Sequence, residues 1–431
     1  MSQQKSDEEA YEEAILRLVK QFESNLRKNF RPGIQPLDEI ENQAEKIGET
    51  AKETIVKEIV EECGSGYTST RIGCSCGGRA RYTQISERHI VTLHGVVSIP
   101  RAYYYCGVCR KGFCPLDFQL GLGSGECSRA VQSLLARFCS YLSFEDASEE
   151  LEVICKIQLS PTTVQRYAKQ IGNRIADDWH RDVDRMEALR LPSSGQRVKR
   201  LYLSMDGVMV HVGGDWHEVK LGVAYQRSVT GKAVHKNYYA TTKRSPVFGK
   251  HIRVLAHRSG SDTCSDIEMV ADGAPWIWKE TGKHFPQSTQ VIDYYHVTQH
   301  LWIAANSRFG ENTAQAKEWM DQQHQHLLAE NIAVVIAAVQ EWRPTKRMDK
   351  TQRRRLITYL NVHRHRMNYK SLRDKGYDIA SGICEASNKN VVKSRMNAAG
   401  MRWEEPGAEA ILQLSTYCKS AYGDNFFPFT A

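Results

Sequence analysis

The sequence has no apolar run approaching the roughly 20 residues needed to cross a bilayer. Its opening stretch, MSQQKSDEEAYEEA, is acidic and lacks the apolar segment of a secretory signal peptide. A cytoplasmic protein that makes no use of a membrane is therefore expected. Internal repeats and low-complexity tracts are absent too, which leaves ordinary globular domains. What is present suits them: 431 residues, 41% hydrophobic and 25% charged, enough for two or three domains with a sizeable core.

The net charge of +8 is unevenly spread. Residues 1–62 hold 9 Lys/Arg against 15 Asp/Glu, so the rest of the chain carries +14. A basic body behind an acidic leader points to a polyanionic partner, most simply nucleic acid. A moderately basic protein without such a partner is the plainer alternative.

Seven of the 12 cysteines fall between Cys63 and Cys127. In a reducing compartment such clustering suggests metal ligation rather than disulfides. Cys74 and Cys76 precede a hairpin-like stretch, and Cys106 and Cys109 follow it. Two close pairs resemble a zinc ribbon, in which four thiolates surround one ion. The C-x-C pair is tighter than usual, which leaves Cys63 or Cys114 open as a ligand. Buried reduced thiols are the alternative.

Apolar periodicity predicts two helices over residues 7–62, split at RPGIQP, and strands with a Gly turn over 67–118. Helices follow from 128 to 175, with Ser160-Pro161 as a helix start, and residues 180–200 read as a linker. The second half reads as strands 200–212, 217–228 and 233–242, helix 247–258, and strands 267–271 and 289–293. A long helical stretch over about 296–376 comes next, and a last helix begins near Ser381. That is the element order of a ribonuclease-H-like α/β core.

Carboxylates stand where such a sheet places functional groups. Asp206 interrupts the apolar strand LYLSMDGVMV, although aspartate is depleted in strands and costly to bury unpaired. Asp272 and Asp293 each close an apolar strand, at the end where α/β sheets collect ligands, and His296 lies three residues past Asp293. Two or three such carboxylates form an oxygen-rich site for Mg²⁺ or Mn²⁺. Singly, each could be no more than a strand cap. Glu385 sits one turn into the last helix, which Ser381 can cap; on spacing alone it pairs with Lys389 on a surface.

Two further segments suit DNA. A helix over about 144–155, the turn KIQLS and a helix from Pro161 to Arg174 form a helix-turn-helix candidate, showing Thr163, Gln165, Arg166, Lys169 and Gln170. The run 343–375 holds 12 Lys/Arg and 2 Asp, including Arg353, Arg354 and Arg355. The plainer readings are a helical hairpin and a solvated basic face.

The stretches DGAPWIW, VIDYYHVTQHLW and CEASNKNVVKSRMNAAGMRW closely resemble the ISKra-type insertion-sequence transposases of prokaryotes. CSCGGRARYT and HGVVSIPRAYYYCGVCRKGFCPLD resemble their N-terminal cysteine module, so the likeness runs from about Cys74 to Tyr422. It implies an Asp-Asp-Glu triad of Asp206, Asp272 and Glu385, holding two Mg²⁺ or Mn²⁺ ions, with Asp293 and His296 accessory in an Asp-x-x-His motif. It also implies zinc at the cysteines, action on double-stranded DNA (terminal repeats and target), a homodimer or larger assembly on DNA, and a place on the nucleoid. C-x-C in place of C-x-x-C, and Cys384 where a smaller or aliphatic residue is common, depart from the pattern.

The expected organisation is a helical leader (1–62), a zinc-ribbon-like module (63–127), a helix-turn-helix-like segment (128–180), a ribonuclease-H-like core (200–295 and 377–422) and a helical insertion (296–376). The expected function is transposition: metal-dependent cleavage of element ends and strand transfer. A nuclease of the same fold without strand transfer is the alternative within the enzyme class. A DNA-binding repressor with a relic core is the alternative outside it.

Overall fold

The computed structural model describes residues 2–398 and 400–422, with side chains from residue 12 onward. Met1 of the expected leader and Ala399 of the expected core lie outside the described residues. The chain is mixed α/β, with two sheets, and divides into two compact units: residues 1–135 with 148–160, and 136–147 with 161–431.

The first unit opens on an antiparallel pair of helices, α1 (Ser2–Asn29) and α2 (Leu37–Glu62), broken at the expected Pro-Gly. Arg17 reaches Glu58 and Glu62 across the pair, and Asn25 donates to the Ile47 carbonyl at 3.1 Å. A four-stranded antiparallel sheet follows: β1 (Arg71–Gly73), β2 (Arg79–Thr92), β3 (Gly95–Cys106) and β4 (Lys111–Phe113). Alternate residues of its long hairpin, Ile90, Val97 and Ile99, bury with Leu116 of α3 (Pro115–Gln119) against Val56 and Val60 of α2. Along the chain come α4 (Arg129–Cys139) and α5 (Phe144–Cys155).

The second unit begins its main run with α6 (Pro161–Glu187). The linker expected at 180–200 is shorter than the sequence suggests, because α6 continues for two more turns past residue 180. Trp179 and Val183 prolong the buried stripe of Val164, Ala168, Ile171 and Ile175, while Arg181 and Arg185 pair with Asp178 and Asp182 on the wet side. One apolar residue per turn among charges disguises a helix as a linker.

Five strands follow: β5 (Arg200–Val212), β6 (Asp215–Arg227), β7 (Ala233–Thr241), β8 (Asp266–Ala271) and β9 (Thr289–Ile292). Their order in the sheet is β7-β6-β5-β8-β9, antiparallel through β5 and parallel beyond it. Each lies within two residues of its expected span. Helices α7 (Ser245–Arg258) and α8 (Pro275–His284) make the crossovers that parallel pairing requires.

The long helical stretch resolves into α9 (Tyr294–Phe309), α10 (Ala314–Leu328), α11 (Ile332–Glu341), α12 (Arg347–His363) and α13 (Tyr369–Asp374). The chain then returns through α14 (Gly382–Ser387), a π-helical turn (Asn388–Lys393), α15 (Ser394–Met396) and α16 (Glu405–Lys419). Among the described residues no helix is long and apolar enough to cross a membrane.

Candidate functional site

Register brings three aspartates level. Met205 pairs with Ala271, and Ala271 with Ile292, so Asp206, Asp272 and Asp293 are the next residues on three adjacent parallel strands. Neighbouring strands lie about 4.8 Å apart. Asp206 stands inside its strand because β5 runs on along β6 after β8 has ended at Ala271.

The three carboxylates have different surroundings. Asp293 is buried and caps α9: one oxygen accepts from Tyr295 N at 2.7 Å and His296 N at 3.1 Å. Its other oxygen accepts from Ser381 N at 2.7 Å and from the Ser381 hydroxyl. Four donors fill the roughly four lone-pair positions of a carboxylate. Asp293 has no acceptor capacity left for a cation. Asp272 uses one oxygen on Ala274 N at 2.9 Å, and Asp206 uses one on Gly207 N at 2.7 Å. Burial, reinforced by the Asp272 charge, raises the Asp206 carboxyl to about 6. Two half-desolvated carboxylates side by side need a proton or a cation between them.

Helix α14 and the π-helical turn bring the C-terminal motif to Asp206. Asn388 donates through Nδ2 to the second Asp206 oxygen, while its own buried Oδ1 has no partner. An orphaned acceptor beside paired carboxylates fits a hard cation with oxygen ligands. Sequence reading missed Asn388, although it lies three residues past Glu385 and so on the same helical face. π-Helical turns are rare and recur at functional sites.

Glu385 itself is exposed, and forms no ion pair with Lys389. Neither the surface pair nor a closed three-carboxylate cluster is formed. Ser381 likewise does not cap α14 with its side chain; its hydroxyl is turned to Asp293, to which it donates. Cys384 is buried near Asp206, and burial then that charge push its thiol up.

His296 points along α9 to His300, with the two Nε2 atoms 3.2 Å apart. The His300 ring lies 4.8 Å from that of Tyr359 on α12, and Tyr359 lies 4.9 Å from His363. Tyr359 also packs on Gly273, where a Cβ would come within 2.2 Å of the ring, so only glycine can follow Asp272 here. The i,i+4 spacing of His296 and His300 was a readable sign. Tyr359, 87 residues beyond Asp272, carried none.

In the first unit the four cysteines converge. Cys74 Sγ lies 3.7 Å from Cys109 Sγ, and Cys76 Sγ 3.7 Å from Cys106 Sγ; all four are within 4.8 Å of one another. Thiolates around a tetrahedral zinc, at about 2.3 Å from the ion, would be about 3.8 Å apart. The group could hold such a metal, and is the sole set of three or more potential ligands this close among the described residues.

The short C-x-C knuckle closes because Cys74 N donates to Gly78 O and Gly77, at φ +83°, turns back to Cys74 O. The N–H groups of Cys109 and Val108 aim at Cys106 Sγ, lowering that thiol to about 7. Neither Cys63, which donates to Ile59 O, nor the buried Cys114 takes part.

A family model spans both units. The uncharacterised protein family UPF0236 matches residues 36–424. The chain belongs to this family. No curated protein matches it. The match takes in the aspartates, the C-terminal helices and all four cysteines of the metal-binding cluster.

The expected DNA-contacting residues fare unequally. Arg353 is committed to its own fold: Nε and Nη2 donate to Val339 O and Gln340 O at 3.2 and 2.7 Å, closing the last turn of α11. Arg354 and Arg355 are exposed on α12. Arg166 is exposed with its guanidinium 5.1 Å over Tyr167. Lys169 lines a cavity with Gln165 and Arg402.

Proposed function

We propose that this UPF0236 chain is a DNA transposase that cleaves the ends of an insertion sequence and joins them to target DNA. The observation that carries the reading is the level placement of Asp206 and Asp272 on adjacent parallel strands, with Asn388 beside them. The strand order β7-β6-β5-β8-β9, three antiparallel strands followed by two parallel ones, is what a ribonuclease-H-like core would have. The likeness of the sequence motifs to ISKra-type transposases supplies the reaction class.

Asp206, Asp272 and Glu385 would hold one or two Mg²⁺ or Mn²⁺ ions, which supply an activated water and charge stabilisation for phosphoryl transfer. Asn388 holds the Asp206 carboxylate in place and offers its free Oδ1 to the same site. Asp293 acts as a brace: it fixes the start of α9, and so His296, and ties Ser381 at the head of the helix bearing Glu385. Glu385, exposed on α14, would supply the third carboxylate to that cation. Exposed Arg354 and Arg355 would hold phosphates, as would Arg166 and Lys169 of the helix-turn-helix candidate. The cysteine module, loaded with zinc, would add a rigid DNA-reading surface.

The test is incubation of the purified protein with labelled DNA carrying the ends of its element, in Mn²⁺. Expected products are 3′-hydroxyl ends and branched strand-transfer joints. Cleavage without joints on pre-cut ends would leave the nuclease, and binding without cleavage would leave the repressor.

A further inference from the structure

A cavity of about 680 Å³ opens beside the aspartates, lined by His300 of α9 and one face of α12. It belongs to neither the carboxylate pair nor the cysteine cluster. Arg347, Thr351 and Arg355 recur at four-residue spacing along that face, so the backbone positions of the two arginines stand roughly 12 Å apart along the helix, by the 1.5 Å rise per residue. Neither forms an ion pair among the described residues, and both are exposed. His300 and Tyr359 present aromatic rings with centroids 4.8 Å apart. Thr351 and Gln352 add a hydroxyl and an amide to the lining.

Arginine for an anion, rings for a flat heterocycle and an amide for its edge are the needs of one ligand class. We propose that this cavity binds a nucleoside 5′-phosphate unit, stacked on His300 and Tyr359 with its phosphate held by Arg347 or Arg355. Its volume falls within the range of small-ligand pockets. Its position argues for the source. Tyr359 packs on Gly273, the neighbour of Asp272, and His300 faces His296, so a nucleotide here lies one side chain from the aspartates. On the cleavage reading of those aspartates, the unit is a nucleotide unstacked from the DNA end next to the reactive phosphate. The cost of extruding a base is offset by its stacking on protein rings. A free nucleotide shares the chemistry, and the test separates the two.

Two titrations of the full-length protein decide the matter, one with a free deoxynucleoside 5′-monophosphate and one with element-end DNA carrying 2-aminopurine at the terminal positions, in Ca²⁺. The variant Thr351→Trp fills the cavity from its half-buried place on that helix face, and the double variant Arg347→Ala with Arg355→Ala removes both exposed guanidiniums without touching packing. Matching melting curves confirm that both variants fold. A several-fold rise in 2-aminopurine fluorescence with wild-type protein, lost in both variants, supports a flipped nucleotide. Saturable binding of the free nucleotide, weakened at least about tenfold in both variants with no DNA signal, supports the cavity with a free ligand. If neither titration responds to Thr351→Trp, the proposal is overturned. The Mn²⁺ cleavage assay is scored separately: cleavage with neither signal removes the cavity and keeps the enzyme, whereas nucleotide binding without cleavage does the reverse.

Discussion

Among single residues, the three level aspartates separate by what their oxygens already do. Asp293 has spent its acceptors on four donors, so Asp293→Ala leaves buried N–H groups without partners and should cost roughly 2–4 kcal/mol of stability. Urea unfolding measures that loss. Asp272→Ala should unfold close to wild type and yet abolish cleavage and joining. Robust activity in that variant would hand the ligand role to another carboxylate. Glu385 is exposed and unpaired in the structure, so Glu385→Gln should leave stability and DNA affinity within error while cleavage falls by orders of magnitude, because an amide lacks the charge a divalent ion requires. Near wild-type joining by Glu385→Gln would remove the third carboxylate from the proposed site.

Taken as elements, the strands were the most legible part of the molecule. Strands β5, β6 and β8 carry apolar stretches, and burial on both sheet faces leaves nothing else for such a stretch to do. Asp206 was legible as a charge where the pattern demands an apolar residue, and Asp272 as the charge that closes an apolar strand. The end of α6 was not, since its last turns bury one residue each. The part played by Asn388 was hidden because a contact spanning 182 residues leaves no local trace, and that of Ser381 because its hydroxyl can accept from a helix N–H or donate to a distant carboxylate, which local sequence does not distinguish. The cysteine knuckles were legible as pairs, while the fitness of C-x-C rested on the Gly77 turn. Purified protein should carry about one zinc per chain, and Cys106→Ser with Cys109→Ser should lose it while the sheet of the second unit keeps its unfolding transition. Full zinc content in the double variant would move the ligands elsewhere.

The stability of the whole molecule should peak in a narrow pH band. Glu268 is fully buried on β8, and burial, then the Asp378 charge, lifts it to about 9, against the pull of the Asp378 N–H and of Arg200 and with a further push from Asp266. A carboxyl raised in the fold holds a proton that the unfolded chain has released. Its contribution is complete below about pH 4.5 and is lost as pH rises toward 9, at up to about 1.4 kcal/mol per pH unit. Burial lowers His251, His284 and His363 to about 4, so their contribution is present above about pH 6.5 and is lost as pH falls toward 4. Glu268→Gln should therefore melt higher than wild type at pH 8 and nearly level with it at pH 5; equal melting at both would show that Glu268 ionises without penalty. The clasp at Asp293 has a different kind of consequence. Asp293 grips Ser381, and Tyr294 N donates to Ile379 O at 2.8 Å, so the chain leaves the sheet and rejoins it at a single point. To the sheet, everything between is a detour with abutting ends, and doubling its length would add only about 0.6 kcal/mol of closure cost. That junction is a socket for a cargo of helices, and the present cargo also grips the sheet, through Tyr369 on the Ile292 carbonyl, Arg366 on Gln290 and Tyr359 on Gly273, so a replacement would have to supply those contacts again.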